Sequence, residues 1–543
     1  MRNFFAGLLS GLTGLGGIFN ATGVSDGNAT HGLRGRQLNL ARPVDFTPVG
    51  RLDIPIHLID FPLRPLPPLR KPITQLTRPI NTHVQLTPDE IKQIKNTKTV
   101  PIAIKFAKLP VFVDSIKTAN FDDFKKLDGF RVQNPPAFNA MKNHIINMYS
   151  GVKDLASIKT FDLNNVTIDC IPVEQQPSAK LGDCDPNAKP PIHTESDYPG
   201  TGDNARGPGK PVYVQTLVGQ GEPEDVGIQC QPRTVPIRRL TLEYLSKFPS
   251  LEALSYRPPV NITFPKPGFL PVPFSFRTGT GAPRVWAYGQ EWIENWGGNT
   301  FLNVWNPRGS FSLSQAWYGG IKEDQSQPRS RQFIEGGWMV DDSRGDKAQL
   351  FIYYTSDNYK AGSGGYGTEV PGFCQISDKW GIGMPFWSTS IKGGIQFGFD
   401  MQWKLTDKKW WLYLKGENQN YTAIGYYPTS LFGDGVLATK SNFLQYGFEV
   451  ANYGGGTGTW PQMGSGEFPN GRYGKSAFQK NIFYVQPYDI PDLPGAWTNL
   501  SATTNGIRNC YGVEVVNDPN GGDWGTYIWA GGPGGQNCIN QNA

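Results

Sequence analysis

The segment from Phe333 to Val340 reads Phe-Ile-Glu-Gly-Gly-Trp-Met-Val and sets one glutamate into an apolar run. Side chains alternate between the two faces of a β-strand, so Ile334, Trp338 and Val340 share one face and Glu335 lies on the other. A carboxylate among apolar neighbours is costly unless it is paired or protonated. The simplest interpretation is a strand with a rim glutamate, because most glutamates are exposed. The alternative is a functional carboxylate, for which the rest of the chain must supply the support.

Gly336 and Gly337 follow the glutamate directly and leave two successive positions of the strand without side chains. Such a strand lets another backbone come close. We therefore expect the two glycines to make room beside Glu335 for the backbone of a bound chain.

Short runs of alternating apolar and polar residues, separated by turn signals, extend on both sides of this segment from Phe301 to Ala530. Strands at this spacing without a helical pattern indicate an antiparallel β-sandwich. All 15 tryptophans lie at or after Trp286, and all five histidines lie before residue 283. The composition thus changes at one place, and we predict a β-sandwich domain over residues 283–543.

The whole chain has 543 residues, which is long enough for two or more domains. Its 65 glycines, 45 prolines and 13% aromatic residues favour turns and β-structure over helical bundles. The net charge of +5 is small, and the basic residues form no dense block or recognition motif. We therefore expect no nucleic-acid partner.

Residues 1–23 have the pattern of a secretion signal, with Arg2, a glycine-interrupted apolar run and small residues at the end. The apolar run is too short to span a bilayer. Six Asn-x-Ser/Thr sequons agree with a secretory route. We expect a secreted, extracellular protein with no membrane partner.

Three regions separate this signal from the β-sandwich. Residues 24–86 are rich in proline with apolar and basic neighbours, which favours an extended arm. Residues 87–180 predict a small α+β unit, because a helix start at Thr87 and a helix after Pro136 alternate with strands at Val100–Phe106 and Ile158–Ile171. Residues 181–282 predict a linker, with one last helical piece at Leu240–Leu254.

The β-sandwich region contains no histidine. Ser-His-Asp and Cys-His mechanisms need an imidazole base, and a catalytic zinc site normally needs histidine ligands. We expect no metal and no other cofactor. An enzyme built on this domain would use carboxylates, two of which can divide acid and base roles when their surroundings differ.

Glu449 is the best partner for Glu335 among the glutamates of this region. In the strand pattern from Leu444 to Ala451, one face is apolar and the other carries Gln445, Gly447 and Glu449. A carboxylate and a carboxamide above small residues suit the floor of a groove, although one polar, solvated face is common in antiparallel sheets.

Several short motifs share an order and a spacing with one known family. They are Asn303-Val-Trp-Asn-Pro, Phe311-Ser-Leu-Ser-Gln, Phe333-Ile-Glu-Gly-Gly-Trp-Met-Val, Tyr446-Gly-Phe-Glu-Val, Gln462-Met-Gly-Ser-Gly and Gly522-Asp-Trp-Gly-Thr-Tyr. They resemble motifs of the neprosin family, which are secreted glutamic peptidases that cleave after proline. Upstream, Ile168-Asp-Cys and the stretch from Cys230 to Arg239 look like the activation-peptide region of that family.

The resemblance implies an all-β catalytic domain, an antiparallel β-sandwich, preceded by a small α+β propeptide region and the proline-rich arm. The two family glutamates fall on Glu335 and Glu449, which would assist the attack of water on proline-containing peptides. We lean towards Glu335 as the glutamate with the raised pKa, because its strand neighbours are apolar, although the roles can be reversed. The resemblance also implies a zymogen whose own N-terminal region inhibits it, and activity at acid pH.

The six cysteines form no Cys-x-x-Cys motif, so disulfides are a better interpretation than a zinc cluster. Cys510 and Cys538 resemble a disulfide of the family. Where plant members have a close cysteine pair, this chain has Cys374 alone, so we expect that disulfide to be absent and Cys374 to be a small buried hydrophobe. The pairing of Cys170, Cys184 and Cys230 stays open.

A substrate groove would take further residues from the same strands. We expect it to be lined by Gln315, Gly336, Gly337, Trp338 and Gln445, with strand packing as the competing interpretation of Gln315 and Trp338.

Two other functions fit the same residues. Paired carboxylates also hydrolyse glycosides, and tryptophans stack on sugar rings, so a carbohydrate-binding or glycoside-active sandwich is one alternative. An inactive secreted surface protein is the other, and the presence of both Glu335 and Glu449 argues against it.

Overall fold

The structure is a computed structural model that describes residues 107–163, 166–191, 199, 216–217, 228, 230–257, 282–416, 421–453, 458–487, 494–521 and 524–538. We call its part between residues 107 and 257 the N-terminal unit, and its part from residue 282 onward the β-domain. The signal sequence, the proline-rich arm, the helix expected after Thr87 and the strand expected at Val100–Phe106 lie outside the described residues.

The α-helices described here all lie in the N-terminal unit. They are α1 (Leu109–Thr118), α2 (Phe121–Phe124), α3 (Pro135–Tyr149), α4 (Leu242–Leu245) and α5 (Leu251–Ser255). The helix expected after Pro136 is α3, which begins where the Asn134 side chain accepts a hydrogen bond from the backbone N–H of Ala137. None of the helices in the described ranges is long and apolar enough to cross a membrane.

Short 3₁₀ helices and many strands complete the secondary structure. The 3₁₀ helices are Leu155–Ser157, Val173–Gln175, Pro177–Leu181, Thr429–Phe432, Val436–Ala438 and Pro469–Gly471. The strands are β1 (Thr160–Leu163), β2 (Val166–Pro172), β3 (Thr216–Leu217), β4 (Thr234–Arg238), β5 (Arg284–Glu291), β6 (Gly297–Asn303), β7 (Phe311–Ile321), β8 (Arg331–Asp341), β9 (Gly345–Thr355), β10 (Gly364–Tyr366), β11 (Cys374–Gln375), β12 (Phe397–Thr406), β13 (Lys409–Lys415), β14 (Tyr421–Pro428), β15 (Phe443–Ala451), β16 (Ala477–Tyr484), β17 (Ala496–Trp497), β18 (Ser501–Thr504), β19 (Gly512–Val516) and β20 (Tyr527–Gly531).

A buried ion pair holds the N-terminal unit together. Its sheet has the order β1-β2-β4, so the third strand comes from well beyond residue 180. The guanidinium of Arg239, which follows β4, contacts both carboxyl oxygens of Asp169 on β2, at 2.5 and 2.9 Å. The hydroxyl of Tyr149 on α3 donates to the same carboxylate at 2.9 Å. Separating the helix from the sheet would leave a buried charge unpaired, which is costly. The cluster therefore stabilises the packing of α3 on the sheet.

The β-domain is an antiparallel sandwich, as the sequence predicts. Its first sheet has the strand order β10-β9-β8-β7-β15-β5-β18, and its second sheet has the order β11-β14-β13-β12-β6-β16-β20-β19. Two short strands join the second sheet, with β17 beside β16 and β3 beside β12. The pairing of β3 with β12 is parallel, and the other described pairs are antiparallel.

The apolar core fills the space between the two sheets. Trp338 and Tyr446 of the first sheet join Trp403 and Leu412 of the second in one cluster, and all four are fully buried. Ile334 and Val340 belong to the same cluster, which confirms the face predicted for them. Burying each such side chain contributes about 1.5–3 kcal/mol, so the inner faces of the sandwich provide most of its stability.

The outer face of the first sheet carries a second apolar cluster. It contains Trp317, Phe333, Met339, Phe351 and Tyr353, which all point away from the second sheet. The N-terminal unit lies against this face, because the hydroxyl of Tyr353 donates to the backbone oxygen of Ser255 at 3.2 Å. The first sheet is therefore buried on both of its faces.

A polar cluster beside this apolar face also joins the two parts. Tyr244 of the N-terminal unit donates its hydroxyl hydrogen to Glu369 at 2.6 Å, and Arg344 pairs with the same carboxylate. Arg238 donates to the backbone oxygen of Arg344 at 2.9 Å and to the side-chain oxygen of Gln349 at 3.1 Å. Nothing in the local sequence distinguishes Glu369 from the other glutamates, because its partners lie far away in the chain.

The cysteines form three disulfides, at Cys170–Cys230, Cys184–Cys374 and Cys510–Cys538. The Cys510–Cys538 bridge is present as predicted. The expectation that Cys374 has no disulfide is wrong, because Cys184 approaches it from the N-terminal unit with a Cα–Cα distance of 5.5 Å. No thiol is left over. Cys374, which has no nearby cysteine in the sequence, thus pairs with a cysteine 190 residues earlier in the chain.

Candidate active site

The candidate site lies where β8, β7 and β15 run side by side in the first sheet. Glu335 on β8 is opposite Trp317 of β7, and Glu449 on β15 is opposite Leu313 of β7. Both glutamates are buried on the outer face, away from the second sheet. The register therefore places the two carboxylates diagonally across β7, as period-two alternation predicts for residues on one face.

Gln315 lies between the two glutamates. On one side it is opposite Gly337, and on the other side it is opposite Gly447. A Cβ atom at Gly337 would come within 2.0 Å of the backbone oxygen of Ser314, and one at Gly447 within 2.4 Å of that of Ala287. Since only glycine fits these positions, the sheet surface around Gln315 is bare backbone.

The carboxamide of Gln315 is fully buried and available for bonding. Neither its Nε2 nor its Oε1 has a hydrogen-bond partner of standard geometry among the described residues. It lies close enough to Glu335 to help lower the pKa of that carboxyl. A buried amide whose hydrogen bonds are incomplete is costly, which is a common sign of a binding position.

Arg257 of the N-terminal unit links the two glutamates. Its Nη2 lies 3.0 Å from Oε2 of Glu335 and donates to Oε2 of Glu449 at 2.8 Å. The guanidinium stacks near Phe351 and Tyr353, with ring-centre distances of 5.8 and 5.6 Å. One nitrogen atom reaches both carboxylates, so the space between them has the size of a single small hydrogen-bonding group such as water.

Arg284 is the second cation of the site and belongs to the β-domain itself. It is at the start of β5, opposite Ala451, and its Nη1 pairs with Oε1 of Glu449. Its guanidinium also packs 4.7 Å from the ring centre of Phe311. Glu449 is thus held between two arginines, whereas Glu335 pairs with one arginine of the described residues, Arg257.

Tyr359 supplies the other contact of Glu335. Its hydroxyl donates to Oε1 of Glu335 at 2.9 Å. Tyr359 sits just after β9, where its backbone N–H donates to the Thr355 side chain at 3.0 Å. Its ring stacks on Tyr353 at 6.0 Å between centres. Apart from Arg257, Gln315 and the carboxylate of Glu449, the surroundings of Glu335 are therefore aromatic.

Burial raises the pKa of Glu335 from 4.5 to about 7. Arg257 and Tyr359 oppose this shift, and the neighbouring charge of Glu449 adds to it. Burial itself disfavours the charged form of Arg257, yet Glu335 and Glu449 raise the pKa of this guanidinium above its usual value. The two carboxylates thus have unlike surroundings, which is the condition for dividing acid and base roles.

The structure brings some of the predicted groove residues together and separates others. Gln315 and Gly337 lie between the glutamates, and Gln445 is on the same face, opposite Trp317. Trp338 is on the other face, where its Nε1 donates to the backbone oxygen of Asn303 at 3.0 Å. Gly336 also faces the core, since a Cβ there would meet Sδ of Met401 at 3.0 Å.

The predictions for Trp338 and Gly336 as groove residues are therefore wrong. Side chains alternate along β8, so the even-numbered positions lie on the face of the strand that does not carry Glu335. The alternation therefore already predicts that Gly336 and Trp338 face away from Glu335. The sequence does not predict Arg257, Arg284 or Tyr359 as site residues. Their contacts with the glutamates depend on the folding of distant segments and leave no local pattern.

The described residues contain no group of three or more His, Cys, Asp or Glu side chains that is placed to hold a metal ion.

Comparison with known proteins agrees with the motif resemblance. The model of the family described as Neprosin matches residues 308–533, which contain both glutamates. Two crystal structures of scytalido-glutamic peptidase, one with a transition state analog inhibitor and one with a peptide-based transition state analog, are each 10% identical to this chain. Each alignment covers 46% of this chain and 98% of the peptidase, with a TM-score of 0.25. A TM-score of this size does not establish a shared fold. The family match identifies residues 308–533 as a neprosin domain.

Proposed function

We propose that this protein is a secreted glutamic endopeptidase that is made as a zymogen, works at acid pH and cleaves peptide bonds after proline. The observation that carries the proposal is the contact of one Arg257 nitrogen with both Glu335 and Glu449. Two carboxylates that share one small group can share one water. The neprosin match and the three disulfides, which are typical of oxidising compartments, support the family and the secretory route.

Glu449 is the general base in this mechanism. Arg284 remains paired with Glu449 when Arg257 leaves and holds the carboxylate in place. The carboxylate takes a proton from the shared water while the water oxygen forms a bond to the scissile carbonyl carbon. Arg284 acts through Glu449, so we regard it as a positioning residue.

Glu335 is the general acid. Its raised pKa keeps a proton on the carboxyl at acid pH, and departure of Arg257 removes a charge that opposes protonation. The proton passes to the leaving nitrogen as the carbon–nitrogen bond breaks. Gln315 lies between the strand positions of the two glutamates, and in this proposal its amide donates to the oxygen on which negative charge develops.

The aromatic surroundings of Glu335 support a preference for proline. Trp317 and Tyr353 flank Glu335 on the neighbouring strands, and Tyr359 stacks on Tyr353. Flat apolar rings suit the pyrrolidine ring, which has no N–H to be satisfied. Bare backbone at Gly337 leaves room for an extended substrate.

The N-terminal unit acts as the inhibitor in this proposal. Arg257 fills the space that the catalytic water needs and pairs with both carboxylates. The Arg257–Glu335 attraction is strongest when Glu335 is ionised. It weakens as pH falls through about 7, where Glu335 takes up a proton. Acid thus removes one of the two charges that hold Arg257, which is the direction expected for acid activation.

The test is hydrolysis of a quenched peptide with one proline, measured at acid pH after the chain has been cut between the N-terminal unit and the β-domain. We expect Glu335→Gln and Glu449→Gln each to lower kcat by about 10³-fold or more, since each removes a proton-transfer group. Gln315→Ala should lower kcat with little change in KM. Glu467→Gln, which changes a half-exposed glutamate paired with Lys392, is the matched control and should keep full activity.

Full activity in Glu335→Gln or Glu449→Gln would refute the catalytic pair. A peptide with alanine in place of proline should be cut at least 10-fold more slowly, and equal rates would refute the specificity. Glycan binding without peptide cleavage would favour the carbohydrate-binding alternative.

A further inference from the structure

A disulfide joins the inhibitor to the domain that it inhibits. Cys184 belongs to the N-terminal unit and Cys374 is on β11 of the β-domain. Both are buried in a small cluster with Trp411, Tyr413 and Tyr426 on the outer face of the second sheet. The bond therefore lies on the opposite side of the sandwich from the glutamates.

The chain around Cys184 is fixed on the β-domain by many hydrogen bonds. Gln176 exchanges two with the backbone of Gln375, both at 2.9 Å. The hydroxyl of Ser178 accepts from the backbone N–H of Gly372 at 3.0 Å. On the far side of Cys184, the Tyr413 hydroxyl donates to the backbone oxygen of Pro191 at 3.0 Å. These contacts hold the two cysteines within bonding reach, independently of the bond itself.

The other two disulfides do not join the two parts. Cys170–Cys230 lies within the N-terminal unit, and Cys510–Cys538 lies within the β-domain. All six cysteines of the sequence are used in these three bonds. For any break of the chain between residues 231 and 373, Cys184–Cys374 is thus the one disulfide that connects the products.

We propose that cleavage of the chain between the N-terminal unit and the β-domain yields a two-chain protein in which the inhibitor stays covalently attached through Cys184–Cys374. The inference that attachment prolongs inhibition rests on the proposed function, whereas attachment itself does not. A tethered unit meets its site at an effective concentration of about millimolar, so Arg257 can return to the glutamates after the chain is cut. Cleavage alone then gives a reversible, pH-dependent release, and lasting release requires loss of the disulfide.

The first measurement is disulfide mapping of the intact protein. Free thiols are alkylated under denaturing conditions, and the protein is digested without reductant and analysed by mass spectrometry. We expect one cross-linked species that contains Cys184 and Cys374. Recovery of these two cysteines as separate alkylated peptides, or of Cys184 joined to another cysteine, would overturn the proposal.

The second measurement follows the fragments after a defined cut. A thrombin recognition sequence is inserted between Gly268 and Phe269, and the cut protein is run on a denaturing gel. Without reductant we expect one species near the 60.0 kDa of the whole chain, and with reductant we expect two fragments. Cys374→Ser should give two fragments under both conditions.

The paired variant Cys510→Ser/Cys538→Ser is the matched control. It loses a disulfide within the β-domain, yet its fragments should stay joined until reductant is added. Separation of the wild-type fragments without reductant would overturn the proposal. Neither measurement needs peptidase activity, so this inference and the proposed function fail separately.

Discussion

Replacement of Arg257 by glutamine tests the proposal that the N-terminal unit inhibits the site through this arginine. The variant keeps a side chain of similar length and removes the charge that lies 2.8 Å from Glu449 and 3.0 Å from Glu335. A unit charge about 4 Å from another contributes about 4 kcal/mol at an effective dielectric constant of about 20, before desolvation is subtracted. Breaking a buried pair by removing one partner typically costs about 3–5 kcal/mol.

We therefore expect Arg257→Gln to weaken docking of the N-terminal unit by about 3 kcal/mol, which is about 100-fold in the closed-to-open equilibrium. The assay is the initial rate of peptide hydrolysis by the uncut chain at pH 8 and at pH 4. At pH 8 the carboxyl of Glu335 is largely ionised and attracts Arg257, so the rate of the variant should exceed the rate of the wild type by about that factor. At pH 4 the carboxyl of Glu335, whose pKa is raised to about 7, is protonated and the ratio should shrink.

Arg131→Gln is the matched control for this experiment, because Arg131 is an exposed arginine of the same unit. It should leave both rates unchanged. Equal rates for Arg257→Gln and wild type at pH 8, or a ratio that is the same at both pH values, would refute the ion-pair mechanism of inhibition.

Two further predictions concern the glutamates. The raised pKa of Glu335 means that the folded state binds this proton more tightly, so the group lowers the free energy of unfolding as pH rises from 4.5 through 7, by about 3 kcal/mol. Glu335→Gln should therefore gain stability relative to wild type between pH 4.5 and pH 8 in chemical denaturation, and a constant difference would contradict the shift. Arg284→Met should lower kcat by about 100-fold with KM little changed, because the charge acts on the base and not on the bound substrate. Arg284→Lys should recover part of the loss, and equal defects in kcat and KM would indicate a merely structural role.

The alternation of side chains along many short runs predicts the sandwich, and along two of these runs it predicts the face that carries Glu335 and Glu449. Hydrophobic periodicity reports which side of a strand is buried, and both glutamates follow it. The same rule, applied strictly, also places Gly336 and Trp338 in the core. The wrong prediction of Gly336 and Trp338 as groove residues came from treating a stretch of sequence as one site, although its residues alternate between two faces.

No local sequence pattern predicts the charged partners of the two glutamates. Arg257 and Glu449 are 192 residues apart, and the arginine stands in an unremarkable Tyr-Arg-Pro-Pro stretch. Cys184 and Cys374 are 190 residues apart. Such contacts depend on where the N-terminal unit docks, which is decided by surface complementarity and not by the periodicity of either segment.

The position of β15 in the first sheet has a consequence for the order of events during synthesis. The strand that carries Glu449 lies between β7 and β5, so those two strands are not bridged until it has been made and inserted. The ribosome produces Arg257 before either glutamate, and Glu449 follows 192 residues later. N-terminal segments fold first as the chain emerges, and pairings between distant strands form slowly. The nascent chain therefore contains the arginine that we propose to be inhibitory before it can complete the pair of glutamates.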